Sequence, residues 1–389
     1  MSDTQPSSPQ PLGNAGVWLL TIAAGATVAN NYYNQAYLSQ LVAEFGLTAG
    51  SVALVPVLSQ LGNTIGILFL APLGDRMERK SLILATMAAL IAALCFAASA
   101  GTLPALADTS FAVGLFATVT QQIVPLGVHL AAPAERGRTL GRITSGILVG
   151  ILLARMASGV ISELWGWRSV LALAAGLMGL IGAALALWLP RVPASTSISY
   201  RALTLSLWEI WCRHPVLRRG VKMQMLVFAA FMAFWSNVAL RLAEPEFGYD
   251  GTAVGLLALI GIVGALAAPV AGAFADRRGG AAVISVGAGL CTVAFAIFAA
   301  VPGVIGLVVG VVVIDMGVQV SQVANQARVY ALDASAKSRL NTIFMAGMIA
   351  GGALGAGCGG LAYAAFGWLG TCVFGFAAAA AAHLLSRHA

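Results

Sequence analysis

Apolar stretches of about 20 residues or more, parted by short loops, recur along this chain from residue 16 to residue 386. They lie at about 16–41, 51–73, 81–101, 104–130, 140–163, 168–190, 217–241, 251–275, 281–300, 303–328, 338–364 and 367–386, and are runs 1 to 12 in chain order. A helix needs about 20 apolar residues to cross the hydrocarbon of a bilayer. The pattern therefore predicts an all-α membrane protein with twelve transmembrane helices. Composition excludes a water-soluble alternative. Of 389 residues, 59% are hydrophobic and only 9% charged, with a mean hydropathy of +0.90. A soluble domain carries roughly 25% charged residues.

The charges that remain are placed by topology. Of the 21 Lys and Arg residues, 18 fall in the loops after even-numbered runs or at the C-terminus. Arg168 and Arg241 lie on the other side, and Arg155 lies inside run 5. By the positive-inside rule both termini and the central linker are expected in the cytoplasm, in a multi-pass protein of the bacterial inner membrane. The net charge of +7 thus argues for a lipid bilayer and against nucleic acid as a partner. Residues 1–15 are polar and lack Lys and Arg, so they read as a cytoplasmic tail rather than a secretory signal. Residues 191–216 are richer in Pro, Ser and Arg and read as a cytoplasmic linker. Within it, Leu203–Trp211 reads as an amphipathic segment lying on the membrane surface. The linker separates a first half, 16–190, from a second half, 217–389. Five scattered cysteines without metal spacing read as packing thiols, and neither a metal nor another cofactor is expected.

The two halves carry the same text. Leu73-Gly74-Asp75-Arg76 recurs as Phe274-Ala275-Asp276-Arg277, 201 positions later. The same offset relates Arg138, Gly146, Gly150, Gly159, Gly166 and Trp167 to Arg339, Gly347, Gly351, Gly360, Gly367 and Trp368, and Gln121 to Gln322. A repeat spanning an even number of passes keeps its membrane orientation, so the halves are expected to be parallel six-helix repeats.

The loop after run 2 reads Ala71-Pro72-Leu73-Gly74-Asp75-Arg76-Met77-Glu78-Arg79-Lys80. It resembles the G-x-L-[AG]-D-R-x-G-R-K loop of the major facilitator superfamily, with Ala71 and Glu78 in place of two glycines. With the repeat and the topology, the resemblance covers essentially the whole chain. The stretches Asn30–Gln35 and Gln319–Leu332, the latter followed by Ser338–Thr342, resemble a bacterial branch of drug- and sugar-efflux-like members. In run 5, Gly141, Gly150, Ala154, Arg155, Ser158 and Gly159 keep the spacing of an exporter motif, with Arg155 standing where Pro is expected. The Arg usual in run 4 is absent, where the chain reads Val113-Gly114-Leu115-Phe116.

The resemblance implies a secondary transporter working by alternating access. It implies a cytoplasmic gate of Asp75, Arg76, Arg79, Asp276 and Arg277, with Asp75 meeting the start of run 11 near Ser338 and Asp276 the start of run 5 near Thr139. It also implies a cavity lined by runs 1, 4, 7 and 10. The polar and aromatic residues there are Asn30, Asn31, Tyr33, Asn34, Tyr37, Gln121, Gln122, Phe234, Trp235, Gln319 and Gln322. Pro125 is expected to kink run 4. Amides among aromatics suit a neutral or zwitterionic amphipathic small molecule.

Charge inside the membrane is costly and marks function, at about 2.5–3.5 kcal/mol for a mid-helix Arg or Asp. Asp315 falls near the midplane of run 10 and is the candidate proton carrier; the bland alternative is a hydrogen-bonded structural Asp. Arg155 cannot lose its proton. It is expected to be a fixed counter-charge to Asp315 or another group, the alternative being a hold on an anionic substrate group. The favoured function is a proton-coupled antiporter exporting a small organic solute; the alternative is a proton-coupled symporter importing a small metabolite. One chain supplies both halves of a pathway, so a monomer suffices. No P-loop, HExxH or GxSxG occurs, so neither ATP drive nor an enzyme is expected.

Overall fold

The computed structural model describes residues 13–193, 199–265, 280–333 and 336–387, apart from the side chains of Asp75 and 262–265. These residues are helical almost throughout, because an apolar backbone in lipid must satisfy its own N–H and C=O groups. The first half holds α1 (Asn14–Ala29), α2 (Asn34–Phe45), α3 (Leu54–Phe69), α4 (Arg79–Ala98), α5 (Leu103–Phe116), α6 (Thr120–Leu130), α7 (Arg136–Trp165) and α8 (Trp167–Trp188). A linker helix α9 (Tyr200–Arg213) follows. The second half holds α10 (Pro215–Leu242), α11 (Gly251–Ala265), α12 (Gly280–Ala300), α13 (Gly303–Tyr330) and α14 (Lys337–Arg387).

Nine helices among the described residues are long and apolar enough to cross a membrane, against the twelve expected. Run 1 is split into α1 and α2, neither long enough alone. Only 15 residues of α11 are described. Runs 11 and 12 are counted once, as the 51-residue α14, although non-helical φ/ψ at Gly367 divides it. The chain reverses there: Thr371 Oγ1 donates to Gly359 O at 3.3 Å, which a straight helix could not allow between residues twelve apart. Gly166, between α7 and α8, has φ +79°, and Gly367, 201 residues on, has φ +62°. Both turns need the left-handed backbone that glycine adopts without steric cost.

The break in run 1 has a local cause. The backbone N–H groups of Asn30, Asn31 and Tyr32 bond three residues back rather than four. The Asn30 side-chain amide meanwhile donates to the carbonyls of Ala26 (2.9 Å) and Thr27 (3.0 Å), taking the place of the missing helical bonds. Run 4 also breaks, but at the 3₁₀ turn Ala117–Val119 rather than at Pro125, which sits inside α6. Its upstream part is pressed against α3: a Cβ at Gly114 would lie 1.9 Å from Ser59 O, and one at Gly62 2.0 Å from Phe111 O. That close packing leaves no room for a side chain at position 114.

Two cores lie mainly one in each half, with Leu240 of α10 reaching into the first and Ala36 of α2 and Ile67 of α3 into the second. One gathers residues of α1, α2, α4, α5 and α8; the other gathers α10, α12, α13 and α14. The linker helix α9 buries Leu207 and Ile210 against Leu217, Val221 and Phe344, and leaves Leu205 and Trp208 exposed on its other side. This two-faced apolar helix suits a place at the membrane surface.

Candidate functional site

The halves meet around one buried cation. Arg155, on α7, is 1% exposed. Its Nε donates to Gln35 Oε1 at 2.6 Å. Its guanidinium carbon lies 4.1 Å from the centre of the Trp235 ring, 5.1 Å from Tyr32 and 5.9 Å from Phe231. A desolvated cation–π contact contributes about 2 kcal/mol or more, set against the several kcal/mol that burying an ion costs. Ring faces also leave the in-plane N–H groups unmet. Arg155 Nη2 is buried and has no hydrogen-bond partner.

The surroundings of Arg155 are polar and incompletely satisfied. Gln35 and Gln60 both turn their amide nitrogens to Met232 Sδ, at 3.5 and 3.7 Å. Asn31 Oδ1, Gln60 Oε1, Trp235 Nε1 and Asp315 Oδ2 are buried without partners. Buried polar atoms are nearly always bonded. A group of orphans around one cation therefore marks a place where water or a ligand completes the bonding.

Asp315, on α13, is within electrostatic reach of Arg155 but is not its partner. Among the described residues no ion pair within 4 Å joins them, so any counter-charge role acts across a gap rather than through a direct bond. Instead Asp315 faces α11, where a Cβ at Gly261 would lie 2.7 Å from its Oδ2. The missing side chain at Gly261 is what gives the carboxylate room.

The remaining cavity candidates divide. Trp235 belongs to the cluster; Asn31, next to Tyr32 in the chain, is buried with an unpartnered Oδ1. Asn30 and Asn34 are buried nearby in the sequence, Asn30 holding the break in run 1, and each has an unpartnered Oδ1. Gln319 and Gln322 are half-buried on α13. Tyr33 packs in the core of the first half. Tyr37 is also core, stacked on Trp167 at 6.1 Å. Phe234 is core in the second half, stacked on Phe298 at 4.4 Å. Phe234 and Trp235 are about 100° apart around α10; their rings meet edge to face at 5.2 Å, with Trp235 turned to the cation and Phe234 to Phe298. Gln122 binds the carbonyls of Leu70 and Ala71, at 2.8 and 3.2 Å, and so supports the turn after α3. Sequence reasoning did not single out Gln35, Gln60 and Met232 as site residues. An amide inside an otherwise apolar run was the available signal for the two glutamines.

One end of the molecule is closed by small residues. A Cβ at Gly159 would lie 2.3 Å from Gly251 O, and one at Gly360 would lie 2.5 Å from Ala53 Cβ. Gly159 and Gly360 are 201 apart, as are Gly50 and Gly251, and Gly50 in turn faces Ala364 and Gly360. The two contacts between the halves are thus copies of one another. Glu163 adds a polar clasp: its Oε1 accepts from Gln40 Nε2 at 2.9 Å and from the backbone N–H of Gly251, at the start of α11, at 3.0 Å. A carboxylate suits a helix N-terminus. Glu44 at this end is held below the usual carboxylate range by the Trp167 indole N–H at 2.6 Å and by Arg168 at 2.7 Å.

The opposite end, which carries both termini of the described chain, has a crevice of about 100 Å³. It lies between the halves and is lined by Gly74, Arg79, Gln121 and Gln122 on one side and by Ser338, Arg339 and Asn341 on the other. Arg76 is exposed there. Arg79 is buried, its Nε donating to Gly74 O at 3.2 Å. The Asp75 side chain, Asp276 and Arg277 lie outside the described residues. The second resemblance-bearing stretch makes a bracket at this end: Tyr330 and Gln326 on α13 both bond Asn341 Oδ1, at 2.6 and 3.2 Å.

Comparison with known proteins agrees with this architecture. The family model described as Major Facilitator Superfamily matches residues 18–332. The chain is 37% identical over 367 residues to the uncharacterized transporter YgaY of Escherichia coli O157:H7, covering 94% of this chain and 93% of that one. It is 32% identical over 373 residues to the probable transporter SCO4007 of Streptomyces coelicolor, covering 95% and 86%. The crystal structure of nucleoside transporter NupG superposes with a TM-score of 0.80 at 15% identity, covering 96% of this chain and 99% of that one. At that identity the likeness concerns the fold alone.

Proposed function

The chain belongs to the Major Facilitator Superfamily and is a membrane-spanning transporter, and we propose that it is a proton-coupled antiporter exporting a small organic solute by alternating access. One observation carries this reading. Asp315 is a membrane-embedded carboxylate with an unpartnered oxygen, within electrostatic reach of a buried arginine where the halves meet. A carboxylate so placed can hold a proton in one state and give it up in another. The fixed charge of Arg155 makes proton and solute occupancy depend on each other. The small-residue spacing of α7, similar to that of exporters, supports the outward direction.

In this mechanism the seal at Gly159–Gly251 and Gly50–Gly360 is one gate. The crevice between Gln121–Gln122 and Ser338–Asn341 is the path on the other side. The 71–80 turn, with Asp75, Arg76 and Arg79, serves as the opposing gate, together with its repeat at Asp276 and Arg277. Rocking one half against the other exchanges open and closed ends while the Arg155 cluster stays between them. The functional setting is the bacterial inner membrane, with both termini cytoplasmic and one chain as the working unit.

The test uses acid-loaded everted vesicles with a pH-sensitive dye inside, challenged with drugs, sugars, amino acids and aromatic acids. Antiport predicts that adding a transported solute alkalinises the lumen, and that Asp315→Asn abolishes the response while expression persists. Luminal acidification on solute addition would establish symport instead. Undiminished alkalinisation in Asp315→Asn would remove Asp315 from the proton path.

A further inference from the structure

Arg155 leaves one edge of its guanidinium unengaged in a place water reaches poorly. We propose that this edge is the receptor for a carboxylate, or an oxyanion of the same planar shape, on the transported solute. The solute's flat apolar body would lie along the aromatic wall of Trp235, Phe231 and Tyr32. This assigns a substrate class to the site described above and rests on the transport reading.

The argument starts from what the arginine lacks. Its charge is permanent. Its Nε is committed to a neutral acceptor, Gln35 Oε1. Its Nη2 is buried without a partner, and among the described residues no ion pair within 4 Å involves it. The ring faces around it offer attraction but no acceptor for an in-plane N–H. Trp235 Nε1, a donor from the other half of the molecule, is likewise buried and unpartnered. Two neighbouring orphan donors, one of them cationic, call for an acceptor that carries negative charge. Arginine prefers to meet a planar oxyanion edge-on through two parallel bonds.

Other solutes fit less well. An amine would enter an aromatic cage already occupied by a cation and would be repelled by it. A neutral amide would satisfy a donor but leave the buried charge without a directly bonded counter-ion. The orphan acceptors Asn31 Oδ1 and Gln60 Oε1 can receive an N–H or O–H elsewhere on the solute. An anion seated here would touch α7 of the first half and α10 of the second. That is the position from which a ligand can bias how the halves rock.

The experiment is a thermal-shift titration of the purified full chain in detergent with three probes of one shape: benzoate, benzamide and benzylamine. A ligand that binds the folded state raises Tm according to its affinity. Benzoate is expected to bind about tenfold more tightly than benzamide, the worth of one charge-assisted hydrogen bond, and benzylamine not at all. Arg155→Gln should erase the preference for benzoate over benzamide. Trp235→Phe, which keeps an aromatic ring and removes the indole N–H, should weaken benzoate more than benzamide. Equal shifts for benzoate and benzamide in the native protein would overturn the proposal, as would no benzoate shift or a preference for benzylamine. That comparison needs no variant to fold. A benzoate preference surviving in Arg155→Gln would place the anion elsewhere and would also overturn it. No gradient or transport enters the measurement, so this proposal can fail while antiport stands, and antiport can fail while this stands.

Discussion

The guanidinium of Arg155 lies 4.1 Å from the centre of the Trp235 ring, so a cation from the first half of the chain is covered by an indole from the second. Among the described residues neither an ion pair nor a covalent link makes this contact. It persists because a desolvated guanidinium gains about 2 kcal/mol or more over an indole face. Trp235→Leu should remove that gain and raise the solute KM about tenfold, with Trp235→Phe in between. Solute uptake into everted vesicles measures both. An unchanged KM in Trp235→Leu would mean the ring only fills space.

Gln35 is the hydrogen-bond partner that the structure gives Arg155, at 2.6 Å, and both side chains are buried. Gln35→Leu strips a buried charge of its acceptor, a loss of about 1.5–3 kcal/mol. The variant is expected to melt several degrees lower than the native protein in the same detergent. Gln35→Glu should hold the arginine more firmly and compete with any anion for it. Its Tm should therefore rise while carboxylate binding falls.

Glu163 clasps Gln40 to the first backbone N–H of α11. Glu163→Ala should loosen the closed end. A cysteine introduced by Gln40→Cys, in a background without the native cysteines, should react several-fold faster with a membrane-impermeant maleimide when Glu163→Ala is added. Equal rates would assign closure to the glycine contacts alone.

Those glycine contacts make a symmetric prediction. Gly159→Val would place a side chain 2.3 Å from Gly251 O, and Gly360→Val one 2.5 Å from Ala53 Cβ. Overpacking of this kind costs about 1–3 kcal/mol. Each variant should disfavour the closed end and reduce transport by about tenfold or more. The two should fail alike, because they occupy equivalent places in the repeat. Normal transport in one and loss in the other would break the equivalence.

Glu44 allows a pH test outside the membrane-spanning segments. Trp167 and Arg168 favour its ionised form, so its folded pKa is below that of the unfolded chain, about 4.3. Its contribution to stability is therefore complete above the unfolded value and is lost as pH falls through the folded one. Between pH 6 and about pH 3 the native protein should lose more Tm than Glu44→Gln does. Parallel curves would show the bracket to be stabilised by packing of Trp167 alone.

Much of the candidate site was legible in residue type. Arg155, Asp315, Asn31 and Trp235 stand out because polar or bulky polar-tipped residues are conspicuous in an apolar run. Gln35 and Gln60 carried the same signal more quietly. What residue type could not supply was direction. Tyr37 and Phe234 have the chemistry of cavity residues but turn into the cores of their own halves. The direct contacts of Arg155 are a glutamine and three aromatic rings, while the Asp315 carboxylate turns toward Gly261.

By itself, the amino-acid sequence determined that this chain lives in lipid, crosses it many times and repeats itself at an interval of 201 residues. Those properties are sums over local composition or matches along the chain, and no packing is needed to read them. Only the tertiary structure decided which face of each helix fronts the junction of the halves. In a soluble helix the polar face reports its own orientation. Here lipid and protein core are equally apolar, so periodicity is silent, and helix rotation is set by backbone approach at residues such as Gly25, Gly114 and Gly159. The partners of Arg155 follow from those rotations.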